Sequence, residues 1–258
     1  MKHFLIASIV VVVAALAGPA AAQVPDTPAV TIPPVAPAAE AAKPRRFIVD
    51  VAHDYKNYFS WNTGLSLGAG GLAAYAVHPI DDNAQQSVQQ GNAPNLRFGD
   101  TYGAQSVQMP LAIAVWAIGH VAGSDEAAST GRDMLRAQIS VLSWNTLYKY
   151  AANRSRPNGD PRGLPSGHAA NTFAMATVLE QHYGWKIGVP AFAAAVYTAA
   201  SRVTENQHWV SDVVFGAVVG IVSGRTVTVH VRETRVAFAP LVLPGGGGVM
   251  VNLLRKSE

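Results

Sequence analysis

Cations, histidines and one carboxylate lie close together in three short clusters in the second half of this chain. In chain order, the clusters are Lys149 with Arg156, Ser166-Gly167-His168, and Arg202 with His208 and Asp212. Cations and a helix start can bind an anionic oxygen group, while histidines can attack phosphorus or transfer protons. Each of these residue types is used sparingly in average proteins, so their occurrence together in this order indicates one phosphate-handling site.

The second cluster directly precedes an apolar run at 169–179, which predicts that Ser166, Gly167 and His168 begin a helix. Backbone N–H groups in the first turn of a helix have no partner within the helix and lie at the positive end of its dipole. A phosphate could therefore be held by Ser166, Gly167 and the exposed amides, because glycine allows the backbone to approach closely. The simpler alternative is a serine N-cap followed by an incidental histidine.

His208 and Asp212 are four residues apart at the predicted start of another helix, so both side chains can share one face. A hydrogen bond from the imidazole to the carboxylate would fix the histidine tautomer. The other ring nitrogen would then be free to attack phosphorus. Taken alone, the pair has a simpler alternative, a surface ion pair.

Lys149 ends one predicted helix, Arg156 precedes a proline in the following loop, and Arg202 ends another predicted helix. Three cations would balance a phosphate dianion, and guanidinium groups add bidentate geometry. The alternative is that they are ordinary cations at helix C-termini. Arg154 and Arg162 lie in the same loop, and we assign them by default to solvent or to substrate approach.

A mainly helical domain is predicted to position these clusters. The 258 residues are 49% hydrophobic and 14% charged, enough to bury one large core. Apolar segments predict helices at roughly 60–77, 108–122, 132–152, 167–182, 187–200 and 209–224. Strand-like patterns at 226–232, 235–243 and 249–253 add a small C-terminal β appendage to this helical bundle.

The N-terminus resembles a secretory signal peptide, with Lys2, an apolar run at 4–17 and small residues up to Ala22. We expect residues 1–22 to be cleaved and the protein to be exported to the periplasm; a buried helix or a retained anchor is the alternative. Residues 23–46 are rich in proline and alanine and predict an extended linker. The remaining predicted units are a domain at 47–225 and a β-rich segment at 226–258.

The other predictions concern partners. The net charge of +3 is small and the basic residues are scattered except near residues 149–162, so we set nucleic-acid binding aside. The apolar stretches at 64–77 and 109–122 are about 14 residues each, short of the roughly 20 that span a bilayer. A soluble or peripheral domain is therefore favoured, and an integral helical bundle is the alternative.

We expect core packing rather than acyl-chain contact for four tryptophans: Trp116, Trp144, Trp185 and Trp209.

Together the three clusters resemble the signature motifs of the type 2 phosphatidic acid phosphatases. That family shares its active-site pattern with vanadium-dependent haloperoxidases and bacterial non-specific acid phosphatases. The resemblance covers about residues 100–224 and leaves out the linker and the C-terminal β segment. It implies a helical bundle of the acid phosphatase/vanadium haloperoxidase type, with the motifs meeting at one end.

The resemblance also implies a role for each residue. His208 would attack phosphorus and form a phosphohistidine, Asp212 would orient it, and His168 would protonate the leaving oxygen and later activate water. The phosphate-binding residues would be Lys149, Arg156, Ser166, Gly167 and Arg202. No metal or other cofactor is implied.

The implied substrates are phosphomonoesters or pyrophosphates, including lipid phosphates, and the sequence selects neither one substrate nor an oligomeric state. One alternative is a vanadium-dependent haloperoxidase, in which His208 would be a vanadate ligand. Another is a non-catalytic envelope protein that binds phospholipid, although such a binder would not need both histidines and Asp212.

Overall fold

The computed structural model describes residues 47–91 and 94–228, together with the backbone of three strands. The strands are Ala7–Ile9 (β1), Thr234–Leu243 (β2) and Gly246–Arg255 (β3). They form an antiparallel sheet in the order β1-β3-β2, within a unit made of residues 1–45 and 232–258. The predicted linker, and the predicted signal peptide apart from β1, lie outside the described residues.

The second unit, residues 46–231, is helical. Its helices are Phe47–Tyr58 (α1), Trp61–Val77 (α2), Asp81–Gln90 (α3), Arg97–Gly103 (α4), Gln105–Val121 (α5), Asp125–Ala152 (α6), Gly167–Tyr183 (α7), Trp185–Thr204 (α8) and Val210–Val227 (α9). The predicted mainly helical fold is confirmed, and each predicted helical segment is a helix. Four boundaries were wrong by three residues or more: α5 begins at Gln105, α6 begins at Asp125, α8 ends at Thr204, and α9 ends at Val227, inside the segment predicted to be β-rich.

Three helices were not predicted from the sequence: α1, α3 and α4. The buried residues of α1 are Asp50, Asp54 and Tyr58, so its inward face is largely polar. The sequence of α3 is almost entirely polar, and α4 has only 7 residues. Hydrophobic periodicity finds helices that bury apolar faces and misses helices that do not.

A buried ionic cluster explains the polar inward face of α1. Arg136 of α6 donates to Asp54 of α1, with Nε 2.7 Å from Oδ2, and to Asp133 at 2.7 Å. His182 of α7 contacts the other oxygen of Asp133 at 3.0 Å. Because buried charges are tolerated only when paired, this cluster fixes α1 and α7 against α6.

Small residues bring α7 and α9 into close contact. A Cβ on Gly216 would lie 2.6 Å from the carbonyl oxygen of Ser166, and a Cβ on Gly220 would collide with the carbonyl of Ala170. The surrounding core is also built mostly from alanine, valine and methionine. Because Ser166 immediately precedes α7, the Gly216 contact sets the second sequence cluster directly against α9, the helix that contains Asp212 of the third cluster.

The helix ends place the clusters together. Asn153 ends α6 in the left-handed conformation with φ 44°, and Gly184 separates α7 from α8 with φ 77°, a region that favours glycine. The last turn of α6, the first turn of α7, the last turn of α8 and the residues before α9 then border one cavity. The four helices therefore alternate in direction, and their cluster-bearing ends coincide.

Candidate active site

A cavity of about 300 Å³ lies at this end of the bundle. Six of the eight site residues predicted from the sequence line it: Lys149, Arg156, Gly167, His168, Arg202 and His208. The other two, Ser166 and Asp212, are fully buried beside it. The structure thus brings all three clusters to one place, with cations and both histidines facing the same space.

His208 lies two residues before α9 and is 2% exposed. Its Nδ1 is 3.4 Å from Asp212 Oδ2, so the carboxylate favours the tautomer in which Nδ1 carries the proton. Burial, with smaller contributions from Lys149 and Arg156, lowers the pKa of His208 to about 4, although Asp212 opposes this shift. At neutral pH the ring is uncharged, and Nε2 has a free lone pair, as a nucleophile requires.

His168 lies in the first turn of α7, and its Nε2 is 3.1 Å from Oδ1 of Asp100, a residue of α4. Burial lowers its pKa to about 4, with Arg202 as the next cause, while Asp100 opposes the shift. Both histidines are therefore neutral before an anion binds, because burial and the surrounding cations disfavour imidazolium.

Two arginines of the site, Arg156 and Arg202, each have an N–H group that donates to no described residue. The Nε atoms of Arg156 and Arg202 are both buried without a hydrogen-bond partner among the described residues. Other atoms of the same side chains are held: Arg156 Nη1 donates to Gln207 at 3.2 Å, and Arg202 Nη1 donates to Asp100 at 2.5 Å. Fixed guanidinium groups with spare donors beside a cavity are suited to binding an oxyanion.

Lys149 links the end of α6 to the loop that follows. Its Nζ donates to the carbonyl of Arg162 at 2.8 Å and lies 3.4 Å from that of Gly163. Burial, and then the charge of Arg156, lower its pKa to about 8. The ammonium is therefore held at the cavity wall, and it loses its proton more readily than an exposed lysine does.

Ser166 connects the second cluster to the third. Its hydroxyl accepts a hydrogen bond from the N–H of Ala169 at 3.5 Å, which makes it the N-cap of α7, and its own N–H donates to the carbonyl of Asp212 at 3.0 Å. Gly167, unlike Ser166, lines the cavity. The N-cap is thus observed, and a direct contact between the Ser166 hydroxyl and phosphate stays a prediction.

The default assignment of Arg154 to solvent or to substrate approach was wrong. Arg154 donates to Asp212 at 2.8 Å and to Asp81 at 2.8 Å, directly behind the histidine–carboxylate pair. Arg162 does lie outside the cavity, with its guanidinium carbon 4.6 Å from the centre of the Tyr150 ring. Loop position alone could not distinguish these two arginines.

Other residues at the site were missed. Asn145 lines the cavity one helical turn before Lys149, so its spacing on α6 could have revealed it. Asp81 and Asp100 come from α3 and α4, which are remote in sequence from the three clusters and carry no local pattern. Among the described residues, no group of three or more histidine or acidic side chains is placed to hold a metal ion.

Two of the four tryptophans do not pack in the core, as all four were expected to do. Trp185 is 70% exposed and Trp116 is 37% exposed, so the expectation was wrong for both. Trp144 stacks on Tyr58 with ring centroids 4.2 Å apart. Trp209 lies next to the site, where its indole N–H donates to the carbonyl of Ser155 at 2.9 Å.

The sequence pattern of the PAP2 superfamily matches residues 140–235, a range that contains all three clusters. This range of the chain therefore belongs to the PAP2 superfamily. Two curated proteins are similar to part of this chain, which spans less than a third of the length of either. Lipid A 1-phosphatase of Porphyromonas gingivalis is 42% identical over 80 residues, 30% of this chain and 18% of that protein. Lipid A 4'-phosphatase of Helicobacter pylori is 41% identical over 58 residues, 22% of this chain and 29% of that protein.

The PAP2 fold also has a counterpart among solved structures. The crystal structure of a transmembrane PAP2 type phosphatidylglycerolphosphate phosphatase from Bacillus subtilis superimposes with a TM-score of 0.53 at 21% identity. The match covers 64% of this chain and 94% of that one. The helical bundle described above is therefore the PAP2 fold.

Proposed function

We propose that this PAP2 protein is an exported, membrane-associated phosphatase that hydrolyses lipid phosphates without a metal, through a phosphohistidine intermediate. The observation that carries the proposal is the cavity itself, where two neutral histidines face two arginines with unused donors. Phosphoryl transfer depends mainly on positioning and on electrostatic stabilisation, and these groups provide both.

In the first step, Nε2 of His208 attacks phosphorus while the bond from phosphorus to the leaving oxygen breaks. The leaving oxygen takes a proton from His168, which is neutral in the empty site and takes up this proton when the phosphate dianion binds between the cations. The positive charge that develops on His208 is stabilised by Asp212, whose Oδ2 lies 3.4 Å from Nδ1. Lys149, Arg156 and Arg202 stabilise the charge on the phosphoryl oxygens.

In the second step, water attacks the phosphorus of the phosphohistidine and gives a proton to His168, which the first step left neutral. The bond between phosphorus and Nε2 of His208 breaks, so that His208 returns to its starting form and inorganic phosphate leaves. His168 thus acts as an acid and then as a base, which needs one ring placed beside the leaving oxygen and then beside water.

The substrate class follows from the relatives and from the protein surface. Both curated relatives are named for removing phosphate from lipid A, and phosphatidylglycerol phosphate is a further candidate of the same chemistry. Large apolar side chains are exposed on α2, α5 and α8, among them Leu72 at 72%, Ile118 at 64% and Val189 at 62%. Such a surface suits contact with hydrocarbon, from which a lipid headgroup could reach the cavity.

Helix length and composition are weaker evidence for membrane association than the exposed apolar side chains are. Among the described helices, Val210–Val227 is long and apolar enough to cross a bilayer, and 61% of it is buried inside the protein. Core helices of soluble proteins meet the same criterion, so the proposal of membrane association rests on the exposed apolar faces.

The test is phosphate release from p-nitrophenyl phosphate, phosphatidate and a lipid A phosphate, in EDTA and with or without vanadate. We expect EDTA-resistant release that vanadate inhibits and that His208→Ala abolishes. A matched control is His120→Ala, because His120 lies outside the cavity and contacts the carbonyl and the ring of Trp116 in its own helix. Residual hydrolysis by folded His208→Ala within tenfold of wild type would remove His208 as the nucleophile.

A further inference from the structure

A second set of ion pairs lies directly behind the carboxylate that contacts His208. Arg154, in the loop after α6, donates from Nη1 to Oδ1 of Asp212 and from Nη2 to Oδ2 of Asp81, each at 2.8 Å. The side chains of Asp212 and Asp81 are 0% and 4% exposed, and that of Arg154 is 22% exposed. One planar guanidinium thus bridges two buried carboxylates, a geometry that a lysine ammonium cannot reproduce.

The outer end of this bridge is anchored on the helix that carries Asp212. Asp81 begins α3, and its carboxylate accepts hydrogen bonds from the N–H of Ser211 at 3.0 Å and from the Ser211 hydroxyl at 2.5 Å. Ser211 lies in the first turn of α9, where N–H groups have no partner within the helix. Asp81 therefore binds Arg154 and the start of α9 at the same time, which leaves the guanidinium little freedom to move.

This arrangement assigns one task to each oxygen of Asp212. Arg154 holds Oδ1, and Oδ2 is left to accept from the N–H of Trp209 at 3.1 Å and to contact Nδ1 of His208 at 3.4 Å. Without Arg154, a fully buried carboxylate would lose its main counter-charge and could rotate away from His208.

We propose that Arg154 and Asp81 are positioning residues, which fix the carboxylate of Asp212 and, through it, the ring of His208. The proposal rests on the proposed function, in which His208 is the nucleophile. Arg154 also offsets part of the Asp212 charge, and so limits how strongly Asp212 favours imidazolium. Asp212, Lys149 and Arg156 are the other charged groups that act on His208, and they are unchanged in the variants below.

The experiment compares Arg154→Gln with Arg154→Lys. In both variants we expect kcat to fall about 10- to 100-fold, as happens when outer partners of metal-bound histidines are removed. Only Arg154→Gln removes the positive charge beside Asp212, so that His208 becomes easier to protonate. In the pH profile of kcat/KM, the acidic limb should therefore move to higher pH by at least half a unit in Arg154→Gln and should not move in Arg154→Lys. The matched control is Arg162→Gln, from the same loop, for which we expect kcat within threefold of wild type.

Two further measurements separate positioning from misfolding. The first uses the double variant Asp81→Asn/Arg154→Gln, which leaves no unpaired charge at Asp81. Thermal unfolding shows whether this variant is folded, and its kcat shows whether a folded protein still has the lowered activity. An NMR titration of His208 reports its pKa without needing turnover, and this pKa should rise in Arg154→Gln.

The outcomes are distinguishable. A wild-type protein that releases no phosphate would end the proposed function, and the NMR titration would then decide on the positioning role. An active wild type, with kcat and acidic limb unchanged in folded Arg154→Gln, would overturn the positioning role and leave the phosphatase intact. A fall in kcat with no change in the acidic limb or in the His208 titration would reduce Arg154 to a structural residue.

Discussion

Binding of a dianion should make the site take up protons. The pKa of His168 is lowered from its ordinary value of 6.5 to about 4 by burial and then by Arg202, with Arg156 and Lys149 adding to the effect. A tetrahedral dianion between these cations offsets their charge and gives His168 an anionic partner, so its pKa should return toward the ordinary value. Sulfate is the suitable probe, because it does not itself titrate near neutral pH.

The size of the effect follows from the two pKa values. At about pH 5.5, a pKa of about 4 leaves about 3% of His168 protonated, whereas the ordinary value would give about 90%. Sulfate binding should therefore bring about 0.9 proton to His168. His208, with a pKa also lowered to about 4, faces the same cavity. The total should lie between about one and two protons per sulfate bound.

The assay is isothermal titration calorimetry in two buffers with different ionisation enthalpies, since the difference in apparent binding enthalpy counts the protons taken up. His168→Gln should lower the uptake by about one proton, and His120→Ala should leave it unchanged. Uptake below about 0.3 proton in the wild type, or equal uptake in His168→Gln, would refute the reasoning that burial and the cations keep His168 neutral until an anion arrives.

Two further predictions follow from the same structure. Burial lowers the pKa of Lys149 from 10.5 to about 8, so the ammonium and its attraction for phosphate are lost as pH rises through 8. The alkaline limb of kcat/KM should therefore lie near that pH and should move above about pH 10 in Lys149→Arg, because guanidinium stays protonated; an unmoved limb would exclude Lys149 as its origin. The exposed apolar faces of α2, α5 and α8 predict that the protein stays in the membrane fraction through high-salt and alkaline washes and is released by detergent. Release by salt alone would contradict membrane association through these faces.

The cations and histidines that face the cavity could be predicted from the sequence because they belong to short local patterns. Ser166-Gly167-His168 precedes an apolar run, and the structure places it at the start of α7 with Ser166 as N-cap. Lys149 and Arg202 lie in the last turns of α6 and α8, as their positions in the apolar pattern indicated. Helix periodicity and end signals are local properties, so a single sequence carries them.

The residues behind the cavity could not be predicted in this way. Asp81 and Asp100 act on Arg154, Arg202 and His168 from helices that precede the clusters by many residues. Their contacts depend on how α3 and α4 pack, and neither helix has an apolar stripe that would give its orientation. The exposed apolar faces could not be predicted for a related reason. The sequence allows the length of each apolar stretch to be compared with the thickness of a bilayer. The feature that bears on membrane contact is instead the distribution of burial, because polar residues such as Asp133 are buried while apolar residues such as Leu72 are exposed.

The two histidines share a lowered pKa but differ in the carboxylate beside them, and the difference fits their two proposed roles. Asp212 is fully buried and held on its far oxygen by Arg154, so it cannot move away from His208. Asp100 has a side chain 51% exposed on a helix of 7 residues, and solvent reaches its contact with His168. A fixed carboxylate suits a nucleophile, which must present the same nitrogen in both steps. An exposed carboxylate suits an acid–base residue, because that residue must exchange a proton first with the leaving oxygen and then with water.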